Sequence, residues 1–214
     1  MARWTRALPA ASFLALFALT ALRLAGSTEG MDAGATHLTG RILRGPFDTF
    51  VSSLWFLGEP QLGTAAAVLL AAILAYRGRR LAAVLVLGSF GLATGLELGM
   101  RLSIGLLVTH HPTLGEALIH EFPSGHAARI PLLGGMVAAL VPRPLRAPVL
   151  VGTIVLALLE ALDRIDSTLQ SASDVIGGLL LGTWLALCFA LVLWRTERGT
   201  RPPVPTEPRV PDSG

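Results

Sequence analysis

Apolar residues form six long runs along this chain, separated by short polar segments. The runs are rich in Leu, Ala and Val, without the period-two alternation of a half-buried strand. Most approach the roughly 20 residues with which an α-helix crosses about 30 Å of hydrocarbon. Because backbone groups in lipid must be hydrogen-bonded within the segment, the pattern predicts helices over residues 7–25, 61–76, 81–108, 127–142, 147–162 and 175–194.

The composition agrees with this pattern. Hydrophobic residues make up 52% of the 214 residues and charged residues 14%, and the mean hydropathy is +0.64. These values exclude an ordinary soluble domain. The sequence therefore predicts an all-α fold, a polytopic membrane helix bundle with about six transmembrane helices.

The distribution of arginine predicts the orientation, since all 17 basic residues are Arg. With the N-terminus in the cytoplasm, eleven arginines lie in inner segments and three in outer loops, which agrees with the positive-inside rule. Both termini are then cytoplasmic, and the two motifs described below face the extracytoplasmic side of the cell membrane. The net charge of +3 thus reflects membrane topology, and no nucleic-acid partner is expected.

The first apolar run has a second interpretation. A cleaved signal peptide is an alternative, because Arg3 and Arg6 precede the run. However, Arg23 and Leu24 make a poor small-residue cleavage site, which favours a signal anchor.

Candidate chemistry lies in two polar breaks. Before the fourth predicted helix the chain reads Pro123-Ser124-Gly125-His126. The first N–H groups of a helix bind anions, and an adjacent histidine supplies a proton donor. Three further candidates lie in the break before the sixth predicted helix: Arg164, Gln170 and Asp174. This combination predicts phosphate chemistry.

Together the two breaks resemble the membrane-bound type-2 phosphatidic acid phosphatases, relatives of the vanadium haloperoxidases. The second motif of that family reads P-S-G-H, and its third reads S-R, then H six residues after the arginine, then D four residues later. Counting from Arg164 places Gln170 at the histidine and Asp174 at the aspartate, and Asp163 stands where the family often has serine. The resemblance spans about residues 60–195.

The resemblance implies roles for these residues. In the family, the third-motif histidine attacks phosphorus in line, the aspartate orients it, and the P-S-G-H histidine protonates the leaving oxygen. By the same correspondence, catalytic positions fall on His126, Gln170 and Asp174, and phosphate-binding positions on Ser124, Gly125 and Arg164. No metal and no cofactor is implied. Because an amide cannot form a phosphoenzyme, Gln170 closes the two-step route through that position.

The first motif of the family is nearly erased in this chain. It reads K, six residues, then R-P, and aligning its proline with Pro112 puts His111 at the arginine and Ile104 at the lysine. Arg101, one helical turn earlier, and a protonated His111 are the candidate phosphate ligands here. A solvated loop over residues 109–112 is the alternative.

Charges within the apolar runs add a further observation. Glu97 and Arg101 are spaced i,i+4, as are Glu160 and Arg164, and Arg129 follows the P-S-G-H motif. Charges at such depth face a partner or a polar cavity. Two interpretations stay open, a lining for a head-group pocket and a structural set of ion pairs.

The resemblance divides the chain into three regions. These are an N-terminal transmembrane helix with an outer loop (1–60), a phosphatidic acid phosphatase-like helical core (61–195) and a Pro-rich, charged cytoplasmic tail that should be disordered (196–214). Within the outer loop, Trp55 and Phe56 are candidate interfacial anchors, a packed loop being the alternative.

Three functions follow as alternatives. The first is a phosphatase acting on an isoprenoid or glycerolipid phosphate by an altered mechanism, with a substitute nucleophile among His110, His111 and His120. The second is a catalytically silent relative that binds or moves such lipids, and the third is a scaffold subunit. The expected partners are membrane lipids, a lipid phosphate or diphosphate in particular. The sequence specifies neither the lipid nor the oligomeric state.

Overall fold

The structure is a computed structural model that describes residues 4–108, 121–167 and 170–199. These ranges contain eight α-helices and no strand. The helices are α1 (Trp4–Leu24), α2 (Glu29–Ile42), α3 (Pro46–Ser52), α4 (Pro60–Tyr76), α5 (Arg80–Val108), α6 (Gly125–Leu140), α7 (Arg143–Asp166) and α8 (Ala172–Gly199). The all-α fold class is confirmed.

Local sequence signals set several helix ends. α4 begins at Pro60, whose missing N–H and fixed φ suit the first helical position. The turn between α4 and α5 contains Gly78 with φ 77°, a left-handed conformation that favours glycine. Ser124 caps α6 by accepting a hydrogen bond from the Ala127 N–H. Each of the six predicted apolar segments overlaps an observed helix.

Among the residues that the structure describes, four helices are long and apolar enough to cross a membrane, within Ala7–Leu24, Arg80–Leu107, Arg143–Asp166 and Ala172–Glu197. A fifth candidate is the bent pair Pro46–Gly58 and Pro60–Tyr76, whose parts meet at 58°. α6, with 16 residues, is shorter than a full span. The multi-pass helical membrane fold is confirmed, whereas the number of six spans and the three region boundaries stay predictions.

The segment between α1 and α4 is more structured than the sequence suggested. It contains α2, α3 and a 3₁₀ turn over Trp55–Gly58. The side chains of Trp55 and Phe56 are about half exposed, at 50% and 46%. The carbonyl oxygen of Trp55 accepts a hydrogen bond from Arg164. This segment therefore contributes backbone to the region of the predicted site.

Close packing of α6 against α8 brings the two motifs together. A Cβ atom at Gly178 would lie 2.1 Å from the carbonyl oxygen of Ser124, and one at Gly182 would lie 2.1 Å from that of Ala128. Only glycine at these two positions of α8 permits such an approach. Beside this contact the core is apolar, with buried Phe122, Leu132, Met136, Leu181 and Phe189.

Candidate active site

Ser124 joins the second motif to the third. Its backbone N–H donates to the carbonyl oxygen of Asp174 (2.9 Å), and its hydroxyl donates to Oε1 of Gln170 (2.5 Å). The same hydroxyl oxygen accepts from the N–H of Ala127 (3.2 Å). Both Ser124 and Gln170 are buried. Ser124 therefore contacts both Gln170 and Asp174 and brings the two motifs together.

Arg164 is held at the same end of the bundle. Its Nε donates to Oε1 of Glu160 (3.0 Å), and its Nη2 donates to the carbonyl oxygen of Trp55 (3.3 Å). The backbone N–H of Gln170 donates to the carbonyl oxygen of Arg164 (3.3 Å). The guanidinium is buried, with 7% of the side chain exposed. Its charge is therefore already paired with a carboxylate.

His126 lies beside this ion pair. A Cβ atom at Gly58 would lie 2.7 Å from Oε1 of Glu160 and 2.8 Å from Cβ of His126, so both side chains pack on that glycine. Nε2 of His126 is 3.5 Å from Oε1 of Glu59. His126 lies just before the predicted span 127–142. Burial, followed by the positive charge of Arg164, lowers the pKa of its imidazole to about 4. The imidazole is consequently neutral at pH 7.

Glu97 bridges two arginines. Its Oε1 lies 3.1 Å from Nη2 of Arg101, and its Oε2 lies 3.1 Å from Nη2 of Arg129. Nη1 of Arg129 also donates to the carbonyl oxygen of Gly58 (3.0 Å). A Cβ atom at Gly125 would lie 2.0 Å from Oε1 of Glu97. Arg101 and Gly125, both predicted phosphate ligands, thus contact an internal carboxylate.

Asp174 has a structural role at the start of α8. Its Oδ2 accepts from the N–H of Ser171 (3.0 Å), while its own N–H donates to Oγ of Ser171 (3.3 Å). This reciprocal pair is a capping box. Its Oδ1 lies 3.4 Å from Nη2 of Arg23, whose Nη1 lies 3.2 Å from Oδ2 of Asp32. The roles that the resemblance implies for Asp174 and the other site residues stay predictions.

Sequence reasoning missed several members of this region, namely Arg23, Asp32, Gly58 and Glu59. All four lie in residues 1–60, the region predicted as a transmembrane helix with an outer loop. Pro60, directly after Glu59, did carry a signal, because proline at the first helical position marks a helix start. His110, His111 and His120 lie outside the described residues, so their predicted roles are untouched. Within the described ranges, no group of three His, Cys, Asp or Glu residues has the arrangement of a metal site.

Comparison with known proteins agrees with the helical membrane fold. Residues 103–198 match the model of the PAP2 superfamily. The fold is similar to the crystal structure of the first transmembrane PAP2-type phosphatidylglycerolphosphate phosphatase from Bacillus subtilis. The TM-score is 0.71 with 22% sequence identity, over 90% of this chain and 98% of that one. No curated protein matched the chain.

The fold is that of a multi-pass helical membrane protein. In it, Ser124 of the P-S-G-H motif at the start of α6 is hydrogen-bonded to Gln170 and Asp174 of the third motif. Over residues 103–198 the chain is similar to the PAP2 superfamily, its fold is similar to that of a membrane PAP2 protein, and the predicted resemblance is confirmed.

Proposed function

We propose that this protein binds lipid phosphates in an outward-facing pocket at the start of α6, without turnover through a phosphohistidine. The observation that carries the proposal is the bond between Ser124 and Gln170. The glutamine occupies the position that the resemblance gives to the nucleophile, and its side chain is fixed to the P-S-G-H motif. The residues around the nucleophile position are therefore present, whereas a histidine that could attack phosphorus is replaced by Gln170.

The groups at this site suit binding of a phosphate better than its transfer. A nucleophilic histidine divides one difficult phosphoryl transfer into two easier steps, and an amide cannot replace it. Binding instead depends on positioned positive charge and N–H donors. Such donors are present at the start of α6 and on Arg101, Arg129 and Arg164.

The class of ligand is supported by the surroundings. The similar Bacillus subtilis protein is named for a lipid phosphate substrate. Large apolar side chains are exposed along several long helices, among them Leu14 and Phe17 of α1, Val84 of α5 and Val151 of α7. These surfaces suit acyl or isoprenoid chains, so the pocket would hold the phosphate while the tail lies in the bilayer. The arginine distribution supports cytoplasmic termini and an outward pocket.

The test is a paired measurement of binding and hydrolysis. Purified protein is given a panel of glycerolipid and isoprenoid phosphates, and both phosphate release and bound lipid are measured, with Gln170→His alongside. We expect binding without release by the native chain. Release abolished by His126→Ala and by Asp174→Ala would contradict the silent-binder proposal. Absence of binding to every lipid phosphate would instead support the scaffold alternative.

A further inference from the structure

The chain supplies its own anion to the predicted phosphate site. The carboxylate of Glu97 lies against Gly125, where a Cβ atom would come within 2.3 Å of all three of its carboxylate atoms. Gly125 is the first residue of α6, and the first N–H groups of a helix attract negative charge. The glycine of the P-S-G-H motif thus accommodates a side chain of this protein.

The arginines beside this carboxylate are only partly used. Each donates from one Nη atom to Glu97 (3.1 Å in both cases). Over the residues that the structure describes, Nε of Arg101 and Nε of Arg129 are buried without a hydrogen-bond partner. Arg129 itself is 6% exposed. The two oxygens of the Glu97 carboxylate therefore accept from one Nη atom of each arginine and leave both Nε–H donors without an acceptor among the described residues.

The local charge balance also disfavours simple addition of an anion. In the described ion pairs of Arg101, Arg129, Arg164 and His126, three guanidinium groups face four carboxylates, those of Glu59, Glu97, Glu160 and Asp163. A phosphate monoester carries a charge of about −1.5 to −2 at pH 7 and three strong acceptor oxygens. A phosphate that binds these Nη donors of Arg101 and Arg129 has to displace the carboxylate of Glu97, and it also offers acceptors for the two unpaired Nε donors.

We infer that Glu97 is a displaceable internal anion that closes the site in its resting state. On this view, which rests on the proposed phosphate pocket, the incoming phosphate takes Arg101 and Arg129 from Glu97. A single carboxylate from solution cannot do the same, because the tethered one has a far higher effective concentration. The contact is thus an autoinhibitory device built from α5 and α6.

The experiment measures the affinity of purified full-length protein for inorganic phosphate by calorimetry. Glu97→Gln keeps the shape but removes the charge, and it should bind phosphate about tenfold more tightly, equivalent to roughly 1.4 kcal/mol. Glu97→Asp keeps the charge but is one methylene shorter, so a smaller gain is expected. Glu197→Gln, which removes the partner of Arg79 in another ion pair, is the matched control and should leave the affinity unchanged.

Formate provides a specific signature. In Glu97→Ala the vacated position should accept formate, so formate should weaken phosphate binding in this variant and not in the native protein. The native protein can also be tested without mutation. If phosphate displaces the Glu97 carboxylate from its arginines, a carboxylate band in the infrared difference spectrum should change when phosphate binds.

Failure of the Glu97 inference can be distinguished from failure of the proposed function. Phosphate binding by the native chain with no gain in Glu97→Gln, or with an unchanged carboxylate band, would overturn the inference and leave the phosphate pocket standing. Absence of phosphate binding by the native protein and all Glu97 variants would overturn the proposed function, and the inference with it.

Discussion

The hydroxyl of Ser124 donates a hydrogen bond to Oε1 of Gln170, although 46 positions separate the two residues. This bond ties the start of α6 to the segment before α8. It also occupies one acceptor of the side chain at the predicted nucleophile position. The glutamine is consequently part of the structural frame of the site.

The first prediction concerns this bond. Ser124→Ala removes the N-cap of α6 and leaves the buried carbonyl of Gln170 without its donor, so we expect a loss of about 1–3 kcal/mol in the free energy of unfolding. Thermal unfolding in detergent measures it. Ser103→Ala, at an exposed serine of α5, is the control and should change stability by no more than about 0.5 kcal/mol. Equal effects of the two substitutions would contradict the structural role.

The six helices were predictable because hydrophobicity along a membrane helix is a local property. The resemblance implies that the two motifs lie at one site, but the bond between Ser124 and Gln170 was not itself predicted. The network of Arg23, Asp32 and Asp174 was not predictable. It joins α1, α2 and α8, and no local pattern in the sequence specifies which distant charges will pair.

The second prediction separates two roles of Asp174. Asp174→Ala should cost about 0.5–2 kcal/mol in the free energy of unfolding, because it removes the acceptor for the Ser171 N–H at the start of α8. Asp174→Asn retains an oxygen acceptor there, so it should recover most of this loss while losing the charge opposite Arg23. Chemical denaturation of the two variants compares them. If Asn were as destabilising as Ala, the ion pair with Arg23 would dominate instead of the cap.

The third prediction concerns orientation. In a background with Cys188→Ala, the only native cysteine being removed, cysteines at Thr113 and Ser171 should react with an impermeant reagent from outside intact cells. A cysteine at Arg77, in the turn after α4, should react only after the membrane is opened. A reporter fused after Gly214 should be cytoplasmic. Labelling in the reverse order would refute the outward pocket.

The fourth prediction tests the contact between Gly125 and Glu97 by a double-mutant cycle. Gly125→Ala places a methyl group 2.0 Å from Oε1 of Glu97, and we expect a loss of about 1–3 kcal/mol in the free energy of unfolding from overpacking. In the Glu97→Ala background the methyl group has space, so most of that loss should disappear, giving a coupling energy of about 1 kcal/mol or more. Gly99→Ala, on the same helix as Glu97, is the control: nothing lies within 4 Å of its Cβ position, and alanine should stabilise the helix by about 0.5–1 kcal/mol. Additive effects of Gly125→Ala and Glu97→Ala would show that the carboxylate does not lie on this glycine, and would remove the geometric basis for an internal anion at the start of α6.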